Sequence, residues 1–272
     1  MSDRVALEEA SAVLAAAGLG ASEAQALAEA AGTDGDLLAL ARARAAGAPL
    51  AHLTGRHRFL TLDLAIAPGV LVPRPETELL ARIAIEVLRA AAADGHEVRF
   101  LDLCCGAGNL VCAIAAHLPA ARGWACDLTS PAVELTRCNV ERLGLSGRVQ
   151  VLQGDLLAPL AGLGLESGLD AVVCNPPYIS TGRLGRDRAS LLDHEPREAF
   201  DGGPYGLSIH QRVVREAAAF LRPGAPAMLE VGEGQERQVV LLFGRAGIWE
   251  GAETRLDVNG VPRVIVARRK AG

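Results

Sequence analysis

Long apolar runs are missing from this chain. Nothing in it approaches the roughly 18 uninterrupted apolar residues that a membrane span needs. The short apolar run from Ala12 to Ala17 follows Asp3, Glu8 and Glu9 rather than a basic stretch, so no secretory leader is expected. Paired cysteines are missing too. The 6 cysteines form no CxxC spacing, and Cys104 and Cys105 are adjacent, so neither a disulfide framework nor a zinc-site spacing is present. A reduced, cytoplasmic compartment and no bound metal follow as expectations. Aromatic residues are scarce at 3%, so the core must be assembled from Ala, Leu and Val. An excess of positive charge is absent as well. A net charge of −5 argues against a nucleic-acid backbone as the main partner, since phosphate binding wants a basic surface.

What is present is bulk. Half of the 272 residues are apolar, enough for one large domain or one domain with a small appendage. Residues 1–52 are Ala-rich with helical spacing and glycine breaks, which predicts a small helical N-terminal domain. Residues 53–75 change character. Phe59, Leu60, Leu62, Leu64 and Ile66 suggest a connecting β-hairpin, and Pro73 and Pro75 then stiffen the chain. Pro75 and Glu76 can open a helix running to about Ala92.

Residues 76–272 then alternate strands with helices. The strand candidates are residues 98–103, 123–127, 148–153, 169–174 and 225–231, with helices such as Pro131–Leu143 and Leu207–Leu221 between them. Such alternation predicts an α/β fold whose mostly parallel sheet is covered on both faces. Asn259-Gly260, between two β-like runs over residues 255–268, predicts an antiparallel C-terminal hairpin.

In an open α/β sheet, ligands bind at the carboxyl ends of the strands. The first strand ends in Asp102-Leu103-Cys104-Cys105-Gly106-Ala107-Gly108-Asn109. Gly106 and Gly108 permit a tight turn with close approach of a ligand, although a plain turn reads the same way. A dinucleotide fingerprint would need a third glycine at 111, where Val111 stands. The second strand ends at Asp127, placed to bind ribose hydroxyls or to cap a helix. The third ends at Gly154-Asp155-Leu156, where a carboxylate can accept from an adenine amino group and Leu156 can pack on the ring. The fourth runs Val172-Val173-Cys174 into Asn175-Pro176-Pro177-Tyr178.

Together these strand ends point to S-adenosylmethionine as cofactor. Methyl transfer to an amide nitrogen needs both N–H groups held, so that a delocalised lone pair faces the methyl. The Asn175 side-chain carbonyl and the Pro176 backbone carbonyl are two acceptors on a stiff scaffold, and Tyr178 can pack on a planar group. Asn175-Pro176-Pro177-Tyr178 read alone is a strand-terminating turn.

The sequence resembles the HemK/PrmC family, whose members methylate glutamine N5 in peptide chain release factors with S-adenosylmethionine. The likeness lies in PLAHLTGRHRF (49–59), PGVLVPRPETELL (68–80), the glycine turn (102–109), NPPYI (175–179), EPREAFDGGPYGL (195–207) and LEVGEGQ (229–235). It implies a Rossmann-like class I methyltransferase: a mostly parallel seven-stranded sheet with an antiparallel C-terminal hairpin, behind a small helical domain. It implies cofactor contacts at Cys104, Cys105, Gly106, Ala107, Gly108, Asp127, Leu156 and Asn175, to which the strand-end reading adds Asp155. It implies acceptor contacts at Asn175, Pro176, Pro177 and Tyr178, and Arg74 is a further candidate. A release factor is the implied partner, with neither DNA nor membrane expected.

Two places depart from the family pattern. Cys104 stands where the turn usually opens with glycine; a Cβ fits there if φ stays negative. The helical part ahead of residue 49 is also shorter than in the family, which bears on the acceptor. A small amide, amine or amino acid is therefore a second reading of the substrate. DNA adenine methylation and a non-catalytic binding module are the remaining rivals. Cys104, Cys126 and Cys174 fall near neighbouring strand ends, and each reads as a small buried hydrophobe.

Overall fold

The computed structural model describes residues 3–32, 35–93, 95–186 and 188–271. Four helices come first: α1 (Asp3–Ala16), α2 (Ala21–Ala31), α3 (Leu37–Ala45) and α4 (Leu50–Thr54). Ala10, Leu14, Ala24, Leu27 and Ala41 are their fully buried contacts. Small alanines let these helices approach closely where aromatics are lacking. A hairpin follows, β1 (Arg56–Phe59) against β2 (Leu62–Ala65), antiparallel and separate from the main sheet.

Helix α5 (Thr77–Ala91) buries Thr77, Leu80, Ala81, Ala84, Ile85 and Leu88. That spacing makes one continuous helical stripe. The helix opens at Thr77, two residues later than Pro75 predicts, because Arg74 to Thr77 form a turn with Thr77 N–H bonded to Arg74 O.

The remaining elements alternate: β3 (Arg99–Leu103), α6 (Asn109–His117), β4 (Arg122–Asp127), α7 (Ser130–Arg142), β5 (Val149–Gln153), β6 (Ala171–Cys174), α8 (Thr181–Arg186), α9 (Ser208–Glu216), β7 (Pro226–Glu230), α10 (Glu236–Ala246), β8 (Trp249–Leu256) and β9 (Pro262–Arg269). The sheet order is β5-β4-β3-β6-β7-β9-β8, with β9 alone running against the rest and so antiparallel to both of its neighbours. The order reverses between β3 and β6, which sets the switch point beside β3.

The pleat divides the core in two. Phe100, Val173 and Met228 face α5 and α6, while Leu101, Leu103, Val172, Cys174 and Leu229 face the α9 and α10 side. Strands buried on both faces are largely apolar, as β6 is throughout and β7 is up to Glu230 at its end. The C-terminal hairpin starts earlier than its sequence signal. β8 begins at Trp249, and a register shift between Glu250 and Glu253 interrupts it. An outer strand of alternating exposure, carrying Glu250, Glu253 and Arg255, lacks the apolar run that marks a buried strand.

Candidate active site

The ends of β3, β4, β5 and β6 converge on a cavity of about 360 Å³. Cys104, Gly106, Asp127, Asp155, Leu156, Asn175 and Pro177 line it. So do Gly69 to Leu71, before α5, and Pro196 to Ala199, after α8. A second, wider cavity of about 840 Å³ is lined by Arg74, Glu76, Asn175, Pro176, Tyr178 and Arg263, among others. Asn175 is on the wall of both. Cys105, Ala107 and Gly108 lie behind the turn, all three buried.

The glycine turn is held by side chains from elsewhere. Asp127 Oδ2 accepts from the Gly106 N–H at 3.0 Å, and its Oδ1 accepts from the Thr129 N–H and hydroxyl. Asp127 thus fixes the turn ahead of α7 while lining the cavity, but it does not cap the helix, whose N-cap is Thr129. Thr136 donates to Gly106 O at 2.9 Å. Asn139 donates to Ala107 O at 2.9 Å. Asp102 is fully buried and accepts from the Val111 N–H at 3.0 Å, satisfying a donor in the first turn of α6. Burial pushes its carboxyl well above the usual range.

Cys104 corrects the sequence reading. Its φ is +58°, not negative. The turn keeps the left-handed conformation that glycine would favour there, and the cysteine bears the strain. Leu156 is in the same situation at φ +51°. Both residues line the cavity, which is where strained backbone tends to concentrate. Cys174 and Cys126 are buried, and burial raises both thiols, Cys126 to about 12. They pack as neutral groups.

Asp155 extends from the cavity rim toward α9. Its side chain is 54% exposed and pairs with Arg212 at 2.8 Å. Arg74 pairs with Glu195, whose Oε1 also accepts from the Val72 N–H at 2.8 Å. That buried carboxylate ties the strand-like approach to α5 onto the segment after α8 and so frames both cavities.

The Asn175-Pro176-Pro177-Tyr178 stretch is anchored along its length. Asn175 Nδ2 donates to Thr77 Oγ1 at 3.1 Å. Pro176 is buried. Tyr178 O accepts from Gln235 Nε2 at 2.9 Å, and the Ile179 N–H donates to Phe200 O at 2.9 Å. A Cβ on Gly232 would lie 2.9 Å from Tyr178 Cδ2, so glycine there makes room for the ring. Burial and the Glu230 charge raise the Tyr178 phenol, which stays protonated. Glu230, at the end of β7, is 1% exposed, and burial raises its carboxyl to about 7.

Thr77, Thr136, Asn139 and Glu230 were not singled out by the sequence reading. Thr136 and Asn139 carry one available signal: polar residues on the buried stripe of α7 with Ala132, Val133 and Val140. Glu230 carries another, a carboxylate closing a wholly buried strand. Among the described residues, no group of three or more His, Cys, Asp or Glu could hold a metal ion. No helix among them is long and apolar enough to cross a membrane.

The family model for the methyltransferase small domain matches residues 77–192. The chain is 39% identical over 227 residues to a release factor glutamine methyltransferase of Moorella thermoacetica, covering 84% of this chain and 77% of that one. It is 37% identical over 226 residues to the enzyme of that name from Streptomyces coelicolor, covering 83% and 78%. In fold it is similar to a methyltransferase from Pyrococcus furiosus, with a TM-score of 0.53 at 17% identity, over 78% of this chain and 91% of that one.

Proposed function

The chain belongs to the release factor glutamine methyltransferase family, and from that premise we propose that it methylates the glutamine N5 of a release factor's Gly-Gly-Gln loop. The observation that carries this is the place of Asn175, on the wall between a cofactor-sized cavity and an open, polar one.

The residues around the smaller cavity fit S-adenosylmethionine. Its volume of about 360 Å³ lies within the range of small-molecule sites. Gly106, at φ +55° with nothing within 4 Å of a Cβ position, leaves the turn open to close approach. Asp127 Oδ1 accepts twice from Thr129, while Oδ2 accepts only from the Gly106 N–H and retains a lone pair for a ribose hydroxyl. Leu156 would pack on the adenine, and Asp155 would accept from its amino group. When bound, S-adenosylmethionine supplies an activated methyl on a sulfonium.

The protein's own work is orientation. Asn175 Oδ1 and the Pro176 carbonyl would accept the two amide N–H groups and turn the nitrogen lone pair toward the methyl. The same dipoles would stabilise positive charge growing on that nitrogen. Tyr178, neutral and held by its backbone, would pack on the planar carboxamide. No general base is required before transfer.

A cytoplasmic location and the absence of DNA or membrane partners belong to this reading, because release factors act on ribosomes. So does a division into residues 1–52, 53–75 and 76–272. It is supported by the separate core of α1 to α3 and the separate hairpin sheet, with α4 carrying the first boundary to Thr54.

The test is methyl transfer from labelled S-adenosylmethionine to a purified release factor. Label should reach the glutamine of the Gly-Gly-Gln loop, and Asn175→Ala should lower the rate on the order of a hundredfold while cofactor binding persists. Cofactor binding without transfer to the release factor would exclude this acceptor in favour of a small amide or amine.

A further inference from the structure

Asn175 can serve as an acceptor only if its amide is held one way round. Oxygen and nitrogen of an amide are nearly the same size, so a cavity wall alone does not choose between them. The structure contains a device that does.

Thr77 Oγ1 accepts from Asn175 Nδ2 at 3.1 Å. A hydroxyl, however, has one proton of its own to give. If that proton were free, Thr77 could donate to Asn175 Oδ1 and the amide could turn over. The two groups are 98 residues apart in sequence and meet only because α5 begins against the end of β6.

Glu230 closes this loop. β6 and β7 are parallel, with Cys174 opposite Leu229, so Glu230 follows directly beside Asn175. Its carboxyl is 1% exposed, and burial raises it to about 7, while hydrogen bonding by the Thr77 hydroxyl and the Tyr178 phenol works in favour of its charged form. Arg263 favours that form too, while Glu76 opposes it. Oε2 is buried without a hydrogen-bond partner. Thr77 is itself 1% exposed, so water does not compete for its proton. Above pH 7 the ionised carboxylate only accepts, whereas below it the protonated form can also donate.

We propose that Glu230 and Thr77 are positioning residues that fix the polarity of Asn175. Glu230 accepts a hydrogen bond from the Thr77 hydroxyl, Thr77 can then only accept from Asn175 Nδ2, and Asn175 Oδ1 is thereby committed to the acceptor amide. This inference rests on the acceptor reading given above and adds its positioning network. It also gives Tyr178 a role beyond packing, since its phenol proton is drawn to the same carboxylate and away from the acceptor carboxamide.

Glu230→Gln keeps the shape but can donate as well as accept. Thr77→Val keeps the shape and loses the hydroxyl. Thr77→Ser keeps the hydroxyl. Each of the first two should lower kcat about tenfold, the worth of one orienting hydrogen bond, with little change in cofactor affinity by calorimetry. Thr77→Ser should restore most of the rate lost in Thr77→Val. The double variant Thr77→Val with Glu230→Gln should be no slower than Thr77→Val alone, because Glu230 acts through Thr77. A general loss of packing would instead add.

A second measurement does not need the acceptor. The Asn175 side-chain amide signal, identified by its loss in Asn175→Ala, should show slow proton exchange in the wild type. It should lose that protection in Glu230→Gln. Additive rates, wild-type kcat in Glu230→Gln, or an unchanged amide signal would overturn the relay. Failure of the wild type to methylate the release factor would instead refute the acceptor, with the amide signal still deciding the relay.

Discussion

Asn139 holds the Ala65 backbone from both arms of its amide. Its Oδ1 accepts from the Ala65 N–H at 2.7 Å, and its Nδ2 donates to Ala65 O at 3.0 Å and to Ala107 O at 2.9 Å. One fully buried side chain on α7 thus joins β2 to the glycine turn. Asn139→Ala leaves these groups without partners and should cost about 2–3 kcal/mol of stability. Asn139→Asp keeps an acceptor for Ala65 N–H but turns an oxygen on two carbonyls. It should cost at least as much. Urea unfolding measures both, and a wild-type midpoint for Asn139→Asp would sink the argument.

Gly108 is pressed against Thr136. A Cβ there would lie 2.8 Å from Thr136 Cγ2, on a backbone at φ +77°. Gly106, at φ +55°, meets nothing within 4 Å. Gly108→Ala therefore combines left-handed strain with displacement of the side chain that holds Gly106 O. It should lose about 2–4 kcal/mol, whereas Gly106→Ala should lose only about 1–2 kcal/mol from strain. Gly108→Ala should also weaken S-adenosylmethionine binding. Calorimetry beside chemical unfolding separates the two effects, and equal losses would show that Thr136 yields freely.

Much of this site is legible in the sequence alone. The strand-end residues can be read because β3, β6 and β7 are mostly apolar runs and β5 an alternating one, each followed closely by Gly, Asp or Pro, and topology then carries their ends to one place. What could not be read depends on distant contacts. Thr77 in PRPETE and Glu230 in LEVGEGQ are ordinary polar residues until α5 is seen to start beside β6 and β7. The sign of φ at Cys104 was also hidden, since a non-glycine residue ordinarily argues for negative φ. The first half of β8 leaves no strand signal because only Trp249 is buried from Trp249 to Thr254 and a register shift falls between Glu250 and Glu253.

Cys104 offers a direct measure of that strain. A non-glycine residue in the left-handed region costs about 1–2 kcal/mol, but glycine costs about 0.5–1 kcal/mol in unfolded-state entropy. Cys104→Gly should therefore be neutral or slightly stabilising. Cys104→Val adds β-branching at the same φ and should lose about 2 kcal/mol or more. Thermal unfolding of the pair decides it. A clear loss in Cys104→Gly would mean that the thiol's packing against the strand ends outweighs the strain.

His210 and Glu230 bury opposite titrations side by side. His210 Nε2 donates to the Glu230 backbone carbonyl at 2.8 Å, and its Nδ1 is buried without a partner. Burial lowers the imidazole from 6.5 to about 4. It is neutral when folded, and unfolding lets it charge. Its contribution is therefore full above pH 6.5 and is lost as pH falls toward 4. Glu230 has the reverse sign. Its carboxyl rises from 4.5 to about 7, so its contribution is full below pH 4.5 and is lost as pH rises through 7. Between 4.5 and 6.5 the two slopes oppose and the wild type should vary little on their account. His210→Gln keeps a donor and removes one limb. The stability difference, wild type minus His210→Gln, should rise by about 1 kcal/mol per pH unit across that window and flatten above it. The same difference for Glu230→Gln should fall by a similar amount toward pH 7. Unfolding curves at four or five pH values test both, and parallel curves for wild type and His210→Gln would place a charged imidazole in the folded core.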